Sequence, residues 1–598
     1  MFFLKREPEF PPGCLRPIAD YRARRRGRNA GCCGVLIFLL AIVPGCSKSP
    51  SVQTAPHETS GLPGTNTEPW FEETAAKAGI TFHHSSGHRT NFFMPEIKSG
   101  GVGLLDYDQD GLLDVFCVNG GSVDPSVTNR PGHRLYHNLG NWHFEDVTER
   151  AGVGGKGEFG VGCACGDYNG DGFPDIYLNN LGTNRLFRNN RDGTFTDVTA
   201  EAGVGDPSWS VSSAFVDYDR DGHLDLMVVN YFHWSRATEL DCFGYASQPD
   251  YCSPLNYKAP AMTTLYPHRG DGTFENVTQK AGLDKAYGNG LGVACVDFDG
   301  DGWIDMFVAN DAVPNQLWMN KGDGTFVDEA LLRGCAVNSM GVSRAGMGVA
   351  VADLNGDGWW DLFVTHLVSE GNGLFLNNHG LFADTLRPKG PSAPSLPYTG
   401  FGVGFCDFDN DGKLDLFVAN GRVKLAPQNW DPKDPYAEPN TLMRGLGGLE
   451  FEEILPRGGT EPPLIASSRG AAFGDLDNDG GIDIVILNRD GPVHVLRNLV
   501  GKRGHWIMFR VLDSHGTDAI DAALQLEAGG QVYRRLVLPN ESYASSSDPR
   551  VHFGLGKADK VERVTVQWID GSKEVFGPFP SDKILELRQG KGSAATSK

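Results

Sequence analysis

The sequence predicts an all-β protein in which a seven-bladed β-propeller is followed by a small β-rich domain. Three observations lead to this prediction. A nine-residue motif rich in aspartate recurs seven times, a run of β-branched and aromatic residues follows each copy, and a second strand–turn–strand element alternates with the motif. Internal repetition of this kind is typical of propeller blades. The 598 residues leave room for a further domain behind the repeats.

The first 46 residues have the features of an export signal. Five arginines between Arg22 and Arg28 precede an apolar run at 35–43. This run is shorter than the roughly 20 residues of a membrane-spanning helix, but it suits the apolar core of a signal peptide. The sequence Val43-Pro44-Gly45-Cys46 then resembles a bacterial lipobox, which predicts lipidation of Cys46; ordinary signal cleavage is the alternative. Residues 47–66, rich in Ser, Pro, Thr and Gly, predict a flexible linker.

The repeated motif has the oxygen spacing of a calcium-binding loop. Oxygens at positions 1, 3 and 5 of a tight loop converge on one point, and Gly at position 6 permits the sharp turn. A backbone carbonyl at position 7 and a carboxylate at position 9 can complete the shell of six to eight oxygens that calcium prefers. The predicted ligands, copy by copy, are Asp106, Asp108, Asp110 and Asp114; Asp167, Asn169, Asp171 and Asp175; Asp217, Asp219, Asp221 and Asp225; Asp297, Asp299, Asp301 and Asp305; Asp353, Asn355, Asp357 and Asp361; Asp407, Asp409, Asp411 and Asp415; and Asp475, Asp477, Asp479 and Asp483.

Two other interpretations of the motif are less suitable. An EF-hand loop opens in the same way, but it lies between helices and ends in Glu at position 12, whereas strand-forming residues such as LDLFVAN at 414–420 follow here. Simple Asp-Gly hairpin turns need no further carboxylates. The seven motifs contain 26 aspartates, which would repel one another without cations. One Ca²⁺ ion per motif is therefore predicted.

The second element predicts where the ring closes. It consists of a short strand, an Asn/Gly turn and a Phe-containing strand, as at 185–204. Its seventh copy is displaced: WFEETAAKAGI at 70–80 opens the domain, while the last motif ends at 493–499 with no such strand after it. The N-terminal strand should therefore complete the last blade, which would leave no exposed sheet edge. The propeller is predicted over 67–500.

Charge and cysteine usage narrow the function classes. The net charge of −22 excludes nucleic acid as a partner, because nucleic-acid recognition needs a basic face. Cys242 and Cys252 share one long loop in a chain predicted to be exported, and they are predicted to form a disulfide. The sequence has no Gly-x-Ser-x-Gly elbow, phosphate-binding loop or dinucleotide fingerprint, so no catalytic residue is predicted.

Parts of the sequence resemble known families. The blades, with Gly-rich segments such as Phe159-Gly160-Val161-Gly162, resemble FG-GAP/VCBS repeats, which also form the calcium-binding blades of integrin α-subunit propellers. The stretch that begins at Asn310 and the Cys242–Cys252 loop are similar to the cartilage acidic protein family and its bacterial relatives. Residues 501–592, with their His552-Phe553-Gly554-Leu555-Gly556 turn, resemble the ASPIC/UnbV domain that ends those proteins. A disordered tail is predicted at 593–598.

The resemblance implies a secreted or surface calcium-binding protein linked to adhesion or matrix. The sequence therefore predicts an exported, monomeric binding protein, either a lipoprotein of the outer membrane or cell surface or a secreted protein. Its partner would be an unidentified extracellular protein or glycan, and only a lipid on Cys46 would contact the membrane. The inserts at 231–263 and 422–440 are the predicted recognition surfaces. An enzyme acting on extracellular polysaccharide, with its site in the central channel or on the 231–263 insert, and an envelope assembly scaffold are the alternatives.

Overall fold

The structure is a computed structural model that describes residues 68–128, 130–155, 157–385 and 387–595. These residues belong to one compact unit, Pro63–Lys598. The predicted signal, Cys46 and the linker at 47–66 lie outside the described residues. Within the described ranges, no helix is both long enough and apolar enough to cross a membrane.

Seven antiparallel sheets, blades 1 to 7, are built around the seven motifs. In each blade the motif connects the first strand to the second, and successive strands are hydrogen-bonded neighbours. The strands are Val102–Leu105, Asp114–Cys117, Arg134–Asn138 and Phe144–Asp146 in blade 1; Phe159–Gly166, Asp175–Leu181, Arg185–Asn189 and Phe195–Asp197 in blade 2; Ser210–Val216, Asp225–Asn230 and Thr264–Tyr266 in blade 3; Gly290–Val296, Asp305–Asn310, Gln316–Asn320 and Phe326–Asp328 in blade 4; Val349–Ala352, Asp361–Val364, Gly373–Asn378 and Leu381–Asp384 in blade 5; Gly400–Cys406, Asp415–Asn420, Thr441–Gly447 and Glu450–Glu453 in blade 6; and Ser468–Gly474, Asp483–Asn488, His494–Asn498 and Phe71–Glu73 in blade 7.

The N-terminal strand closes the ring. Phe71–Glu73 pairs antiparallel with His494–Asn498, with Phe71 opposite Asn498, so blade 7 contains strands from both ends of the domain. The first strands of neighbouring blades contact one another in an unbroken cycle from blade 1 through blade 7 and back to blade 1. The predicted all-β propeller class is therefore confirmed.

Blade 3 has three strands, whereas each of the other six blades has four. Its third strand is only Thr264–Tyr266. In the other blades the third strand pairs with a fourth strand, but here a single bridge between His268 and Phe274 takes the place of that pairing. Pro267 follows the third strand, and proline has no N–H to donate to a neighbouring strand.

Short helices connect the blades. Four are α-helices, Ala75–Ala78, Thr148–Ala151, Thr199–Ala202 and Ala330–Arg333, and each ends at a glycine in the left-handed region, as at Gly79 with φ of 92°. The remaining helices of the described ranges are 3₁₀ turns at Met94–Ile97, Arg236–Thr238, Tyr245–Ser247, Pro254–Asn256, Leu283–Lys285, Ala393–Ser395, Arg457–Gly459 and Gly501–Arg503. Two small ribbons, Cys242–Phe243 with Pro249–Asp250 and Glu438–Pro439 with Ile465–Ala466, lie in the loops.

The C-terminal domain packs two sheets around its own apolar core, which includes Phe509, Leu526 and Val564. A three-stranded sheet and a five-stranded sheet make up the layers, and a two-stranded ribbon joins Lys560–Val561 to Phe579–Pro580. In spatial order the sheets contain Val551–Gly556, His505–Leu512 and Lys583–Arg588, and Gln531–Leu536, Ala523–Ala528, Arg563–Gln567, Lys573–Phe576 and Ser593–Ala594.

The last of these strands corrects the predicted disordered tail at 593–598 for Ser593 and Ala594, whereas residues 596–598 lie outside the described residues. Ser593–Ala594 pairs antiparallel with residues Glu574 and Val575 at the edge of the five-stranded sheet. An edge strand offers unpaired N–H and C=O groups, and here the end of the described chain uses them.

Residues 539–549 of the C-terminal domain, here called the axial segment, run through the centre of the propeller. Ser542 and Val349 exchange backbone hydrogen bonds of 2.7 and 2.9 Å. The N–H of Ser546 donates to the carbonyl of Val102 at 2.9 Å. Further contacts reach the first strands of blades 2, 3, 6 and 7. The axial segment thus fills the channel that the ring encloses, which the sequence analysis did not predict.

Small residues in the first strands make this close approach possible. A Cβ atom on Gly101 would lie 2.0 Å from the carbonyl oxygen of Ala544, and one on Gly162 would lie 2.7 Å from the Ala544 Cβ. At the opposite side of the segment, Tyr543 is fully buried, and its O–H donates to the carbonyl of Lys98 at 2.8 Å. Gly101 and Gly162 therefore permit the close approach of the axial segment.

Candidate calcium sites

Every motif folds as the same turn at one end of its blade. The glycine at position 6 has φ between 86° and 93° in all seven copies, a region that other residues rarely adopt. This conformation directs its N–H back to the first aspartate, as in the 3.0 Å bond from Gly111 to Asp106 Oδ2. The same bond occurs in the other six motifs. The sequence spacing alone therefore determines the turn.

The aspartate at position 9 is buried in every motif and connects three parts of its blade. In blade 1, Asp114 Oδ2 accepts from the N–H of Tyr107 at 3.1 Å, and Oδ1 accepts from the N–H of Asn138 at 2.7 Å. Equivalent bonds occur in the other blades, for example from Phe298 and Asn320 to Asp305 at 3.2 and 2.9 Å. Each position-9 carboxylate thus ties the motif to the end of the third strand.

The predicted ligands converge as the spacing requires. In motifs 1, 3, 4 and 6, three carboxylates offer oxygens that lie within 4.8 Å of one another, such as Asp217, Asp219 and Asp225. Motifs 2 and 5 have Asn169 and Asn355 at position 3 and form the same turn bonds. Motif 7 also forms them.

Several carboxylate oxygens of the motifs lack a hydrogen-bond partner, and these oxygens show whether a cation fits the loops. Asp108 Oδ1, Asp353 Oδ1 and Asp409 Oδ1 are buried and have no hydrogen-bond partner among the described residues. Buried polar atoms are nearly always paired, so an unpaired carboxylate oxygen requires an explanation. Hard oxygen donors with unused lone pairs on a flexible loop suit calcium. The residues present therefore fit the predicted ion.

Burial also changes the protonation of the loops. It raises the pKa of Asp114 to about 7 and the pKa values of Asp305 and Asp407 to about 8. Carboxyl groups with such pKa values hold protons near neutral pH unless a cation replaces them. Metal binding at these loops would therefore release protons.

Basic side chains contact some motifs and supply positive charge there. Arg333 lies 3.0 Å from Asp299 in motif 4, Arg444 lies 2.9 Å from Asp409 in motif 6, and Arg534 of the C-terminal domain lies 3.3 Å from Asp353 in motif 5. Within the described ranges, the motif 3 aspartates form no such ion pair. These cations could not be predicted from the motifs, because they come from other parts of the chain.

A set of asparagines at the ends of the third strands was also missed. Asn320 Nδ2 donates to the carbonyl of Tyr218 in the neighbouring blade at 2.9 Å, and Asn377 Nδ2 donates to the carbonyl of Phe298 at 2.9 Å. These asparagines connect five of the seven blades to the preceding motif around the ring. The signal was present as an Asn at the same place in five copies of the second element: Asn138, Asn189, Asn320, Asn377 and Asn498.

The C-terminal domain contacts the same end of the blades. Arg510 donates to Gln109 in motif 1 at 2.8 Å, and Arg550 donates to Asn478 in motif 7 at 2.7 Å. The N–H of Gly556 donates to the carbonyl of Asn410 in motif 6 at 2.9 Å. The candidate calcium loops therefore form the surface on which the second domain rests.

The remaining predicted site residues lie elsewhere. Cys242 and Cys252 are joined as a disulfide, with an S–S distance of 2.08 Å and a Cα–Cα distance of 5.2 Å. They belong to the 231–263 insert, at the end of the blades opposite to the motifs. Cys46 lies outside the described residues.

Comparison with known families agrees with this two-part architecture. A model described as "FG-GAP-like repeat" matches residues 106–178, 167–228, 249–308, 297–364 and 353–418, and one described as "ASPIC and UnbV" matches residues 513–594. The chain belongs to the FG-GAP repeat proteins that end in an ASPIC/UnbV domain. The predicted resemblance is thereby confirmed. The repeat matches of this FG-GAP/ASPIC chain begin at motif 1 and end at 418, before motif 7, which the structure shows as a seventh sheet.

Cartilage acidic protein 1 from three vertebrates is similar to this chain over most of its length. Cartilage acidic protein 1 of Homo sapiens is 29% identical over 506 residues, which span 79% of this FG-GAP/ASPIC chain and 69% of the human protein. The Mus musculus protein is 29% identical, and the match spans 70% of its length. Among solved structures, an Agrocybe aegerita lectin that recognises non-reducing terminal N-acetylglucosamine has a TM-score of 0.37 and 18% identity, with coverage of 67% of this chain and 95% of the lectin.

Proposed function

We propose that this chain is an exported, calcium-binding β-propeller that binds an extracellular protein or glycan at the cell surface. One Ca²⁺ ion would be held by each motif through the residues at positions 1, 3, 5 and 9. Bound calcium supplies positive charge among carboxylates that otherwise stay protonated or unpaired. The unpaired oxygens of Asp108, Asp353 and Asp409 support this assignment. Export, with a lipid on Cys46 or in secreted form, is part of the proposal.

The observation that carries the binding function is the junction of the two long inserts. Both leave the second strand of a blade, so they lie at the end opposite to the motifs. Asp250 of the first insert accepts from the N–H of Leu425 and from the O–H of Tyr436 in the second, each at 2.8 Å. Tyr251 and Tyr436 also pack with ring centroids 5.6 Å apart. The inserts at 231–263 and 422–440 therefore form one continuous recognition surface.

Exposed apolar side chains stand on this recognition surface. Phe243 is 64% exposed and Tyr245 is 53% exposed, on the loop that the Cys242–Cys252 disulfide restrains. Leu240 and Leu255 are exposed beside them. Rigidly held aromatic residues bind partners at low conformational cost. Clustered exposed apolar groups commonly mark a binding site.

The alternative functions receive less support. A polysaccharide-acting enzyme with its site in the central channel would need an open channel, and the axial segment fills it in the described residues. The same enzyme with its site on the 231–263 insert, and an envelope scaffold, remain distinct hypotheses. Release of products from a panel of polysaccharides would favour the enzyme, and co-purification with outer-membrane proteins would favour the scaffold.

The test compares two double variants of the mature chain with calcium present. Phe243→Ser/Tyr245→Ser removes the exposed aromatics, and Leu331→Ser/Leu332→Ser changes two residues of 75% and 81% exposure on the rim of blade 4. Each protein is immobilised and exposed to native envelope extract and to a glycan array. We expect capture by the wild type and by the rim variant, and loss of capture by the aromatic variant. Equal capture by all three would refute this recognition surface.

A further inference from the structure

A cavity of about 530 Å³ lies between the motif ends of blades 3 to 5 and the five-stranded sheet of the C-terminal domain. Trp359 and Trp360 of motif 5 line one side, and Trp568 of the C-terminal domain lines another. Neither domain alone provides the whole lining. The cavity is separate from the recognition surface, which lies at the opposite end of the blades.

Asp521 faces this cavity without a partner. The residue is only 9% exposed, and neither of its carboxylate oxygens has a hydrogen-bond partner among the described residues. Its backbone has φ of 68°, which is uncommon for a residue other than glycine. An unpaired buried carboxylate and a strained backbone both cost stability, and such costs concentrate at functional sites.

Unpaired donors line the cavity as well. Trp568 Nε1 is buried and has no acceptor, and the same holds for Arg220 Nε. The Arg220 guanidinium stacks on Trp303 at 4.3 Å from the ring centroid and forms no ion pair with a described residue. A ligand that satisfies both Asp521 and these donors must donate and accept hydrogen bonds. Hydroxyl groups do both.

The aromatic and cationic groups of the lining narrow the chemical class of the ligand further. Flat indole faces beside polar side chains suit sugar rings, which are apolar on one face and hydroxylated at their edges. Three cations, Arg220, Arg534 and Lys573, contribute to the lining of this cavity in a chain of net charge −22. Arg534 already contacts Asp353 and Gln525, at 3.3 and 3.2 Å, which leaves Arg220 and Lys573 for a ligand.

We propose that the cavity binds an oligosaccharide containing uronic acid. Its hydroxyl groups would donate to Asp521, its rings would pack on Trp359 and Trp360, and its carboxylates would lie near Arg220 and Lys573. This inference does not rest on the recognition surface proposed above.

The experiment measures binding of hexamers of galacturonate, alginate and hyaluronan, with cellohexaose as the neutral probe, by titration calorimetry of the mature chain in calcium. We expect at least one acidic hexamer to bind at least tenfold more tightly than cellohexaose. Asp521→Asn keeps the size of the side chain and tolerates positive φ, yet it should weaken that binding at least tenfold. Trp359→Ala should do the same. The rim variant Leu331→Ser/Leu332→Ser, which changes neither the cavity nor the recognition surface, should leave it unchanged.

Asp521→Gly separates a ligand role from a structural one. Glycine relieves the backbone strain and removes the unpaired carboxylate, so the melting temperature should rise. A rise in melting temperature with unchanged affinity would overturn the proposal, as would failure of every acidic hexamer to bind. The Phe243→Ser/Tyr245→Ser variant should bind the hexamer normally. If that variant loses envelope capture but still binds the hexamer, the recognition surface and the cavity are separate binding sites.

Discussion

Replacement of Tyr543 by alanine tests whether the axial segment holds the two domains together. Tyr543 lies at the centre of the ring with no exposed surface. Its ring packs edge-on against Phe401 with centroids 4.8 Å apart, and its O–H donates to the carbonyl of Lys98 at 2.8 Å. The side chain thus contacts residues more than a hundred positions away in the chain, all of them in the propeller.

The expected loss follows from these contacts. Truncation of a buried aromatic residue to alanine costs about 3 to 5 kcal/mol through lost burial and the cavity that remains. Loss of the hydrogen bond contributes about 1 kcal/mol. We therefore expect Tyr543→Ala to lower the free energy of unfolding by about 4 kcal/mol or more. Tyr543→Phe keeps the ring and should cost only about 1 kcal/mol.

Urea unfolding, followed by tryptophan fluorescence and by hydrogen exchange in both domains, measures the effect. The exposed Tyr245 provides a matched control, because Tyr245→Ala removes the same atoms from the surface and should change stability by less than about 0.5 kcal/mol. Protection should fall in the C-terminal domain as well as in the propeller of Tyr543→Ala. A loss of less than about 1 kcal/mol, or protection unchanged in the C-terminal domain, would refute the assigned role.

The calcium loops, the inter-blade asparagines and the buried Glu541 each allow a further test. Chelation with EGTA should lower the melting temperature substantially. Each calcium ion that binds only the folded chain stabilises it by about 2.7 kcal/mol when the free calcium concentration is 100 times the Kd. Identical melting curves with and without EGTA would contradict calcium binding. Asn377→Ala should lower the free energy of unfolding by about 2 kcal/mol, because the buried carbonyl of Phe298 and the partly buried carbonyl of Trp360 lose a donor. The exposed neighbour Asn378→Ala should change the free energy of unfolding little, and equal effects would argue against the inter-blade role. Burial raises the pKa of Glu541 to about 8, above the unfolded value of about 4.3. Protonation of Glu541 therefore stabilises the folded chain at low pH, and this contribution is lost as the pH rises through 8. Glu541→Gln should therefore gain melting temperature relative to wild type between about pH 5 and pH 9, and a constant difference would show that Glu541 does not titrate in this range.

Much of the candidate site could be predicted because its signals are local and repeated. The turn at each motif depends on residues within nine positions of one another, so Asp106 and Gly111 meet wherever the blade lies. The closure of the ring was also predictable, because a strand missing at one end of the repeats was present at the other. The Asn at the end of the third strand recurs in the sequence, but its role depends on a hydrogen bond to a carbonyl group in the neighbouring blade.

Other features depended on partners far apart in the chain. Blade 3 lost its fourth strand because of Pro267, a single exception within a periodic pattern. Ser593 and Ala594 formed a strand because a sheet edge was available beside them. Nothing in the composition of residues 539–549 indicates burial in a channel, since the segment is rich in serine and its hydroxyls bond to strands of the propeller.

The sequence by itself determined the aspartate turns, the number of repeats and the strand that closes the ring, because those features follow from short spacings and from counting. Only the tertiary structure decided that the C-terminal domain fills the channel, rests on the motif loops and encloses a cavity beside Asp521. The physical reason is that each of these features depends on contacts between residues that lie far apart in the chain. Their fit is a matter of shape and unsatisfied hydrogen bonds, which no local pattern of residues encodes.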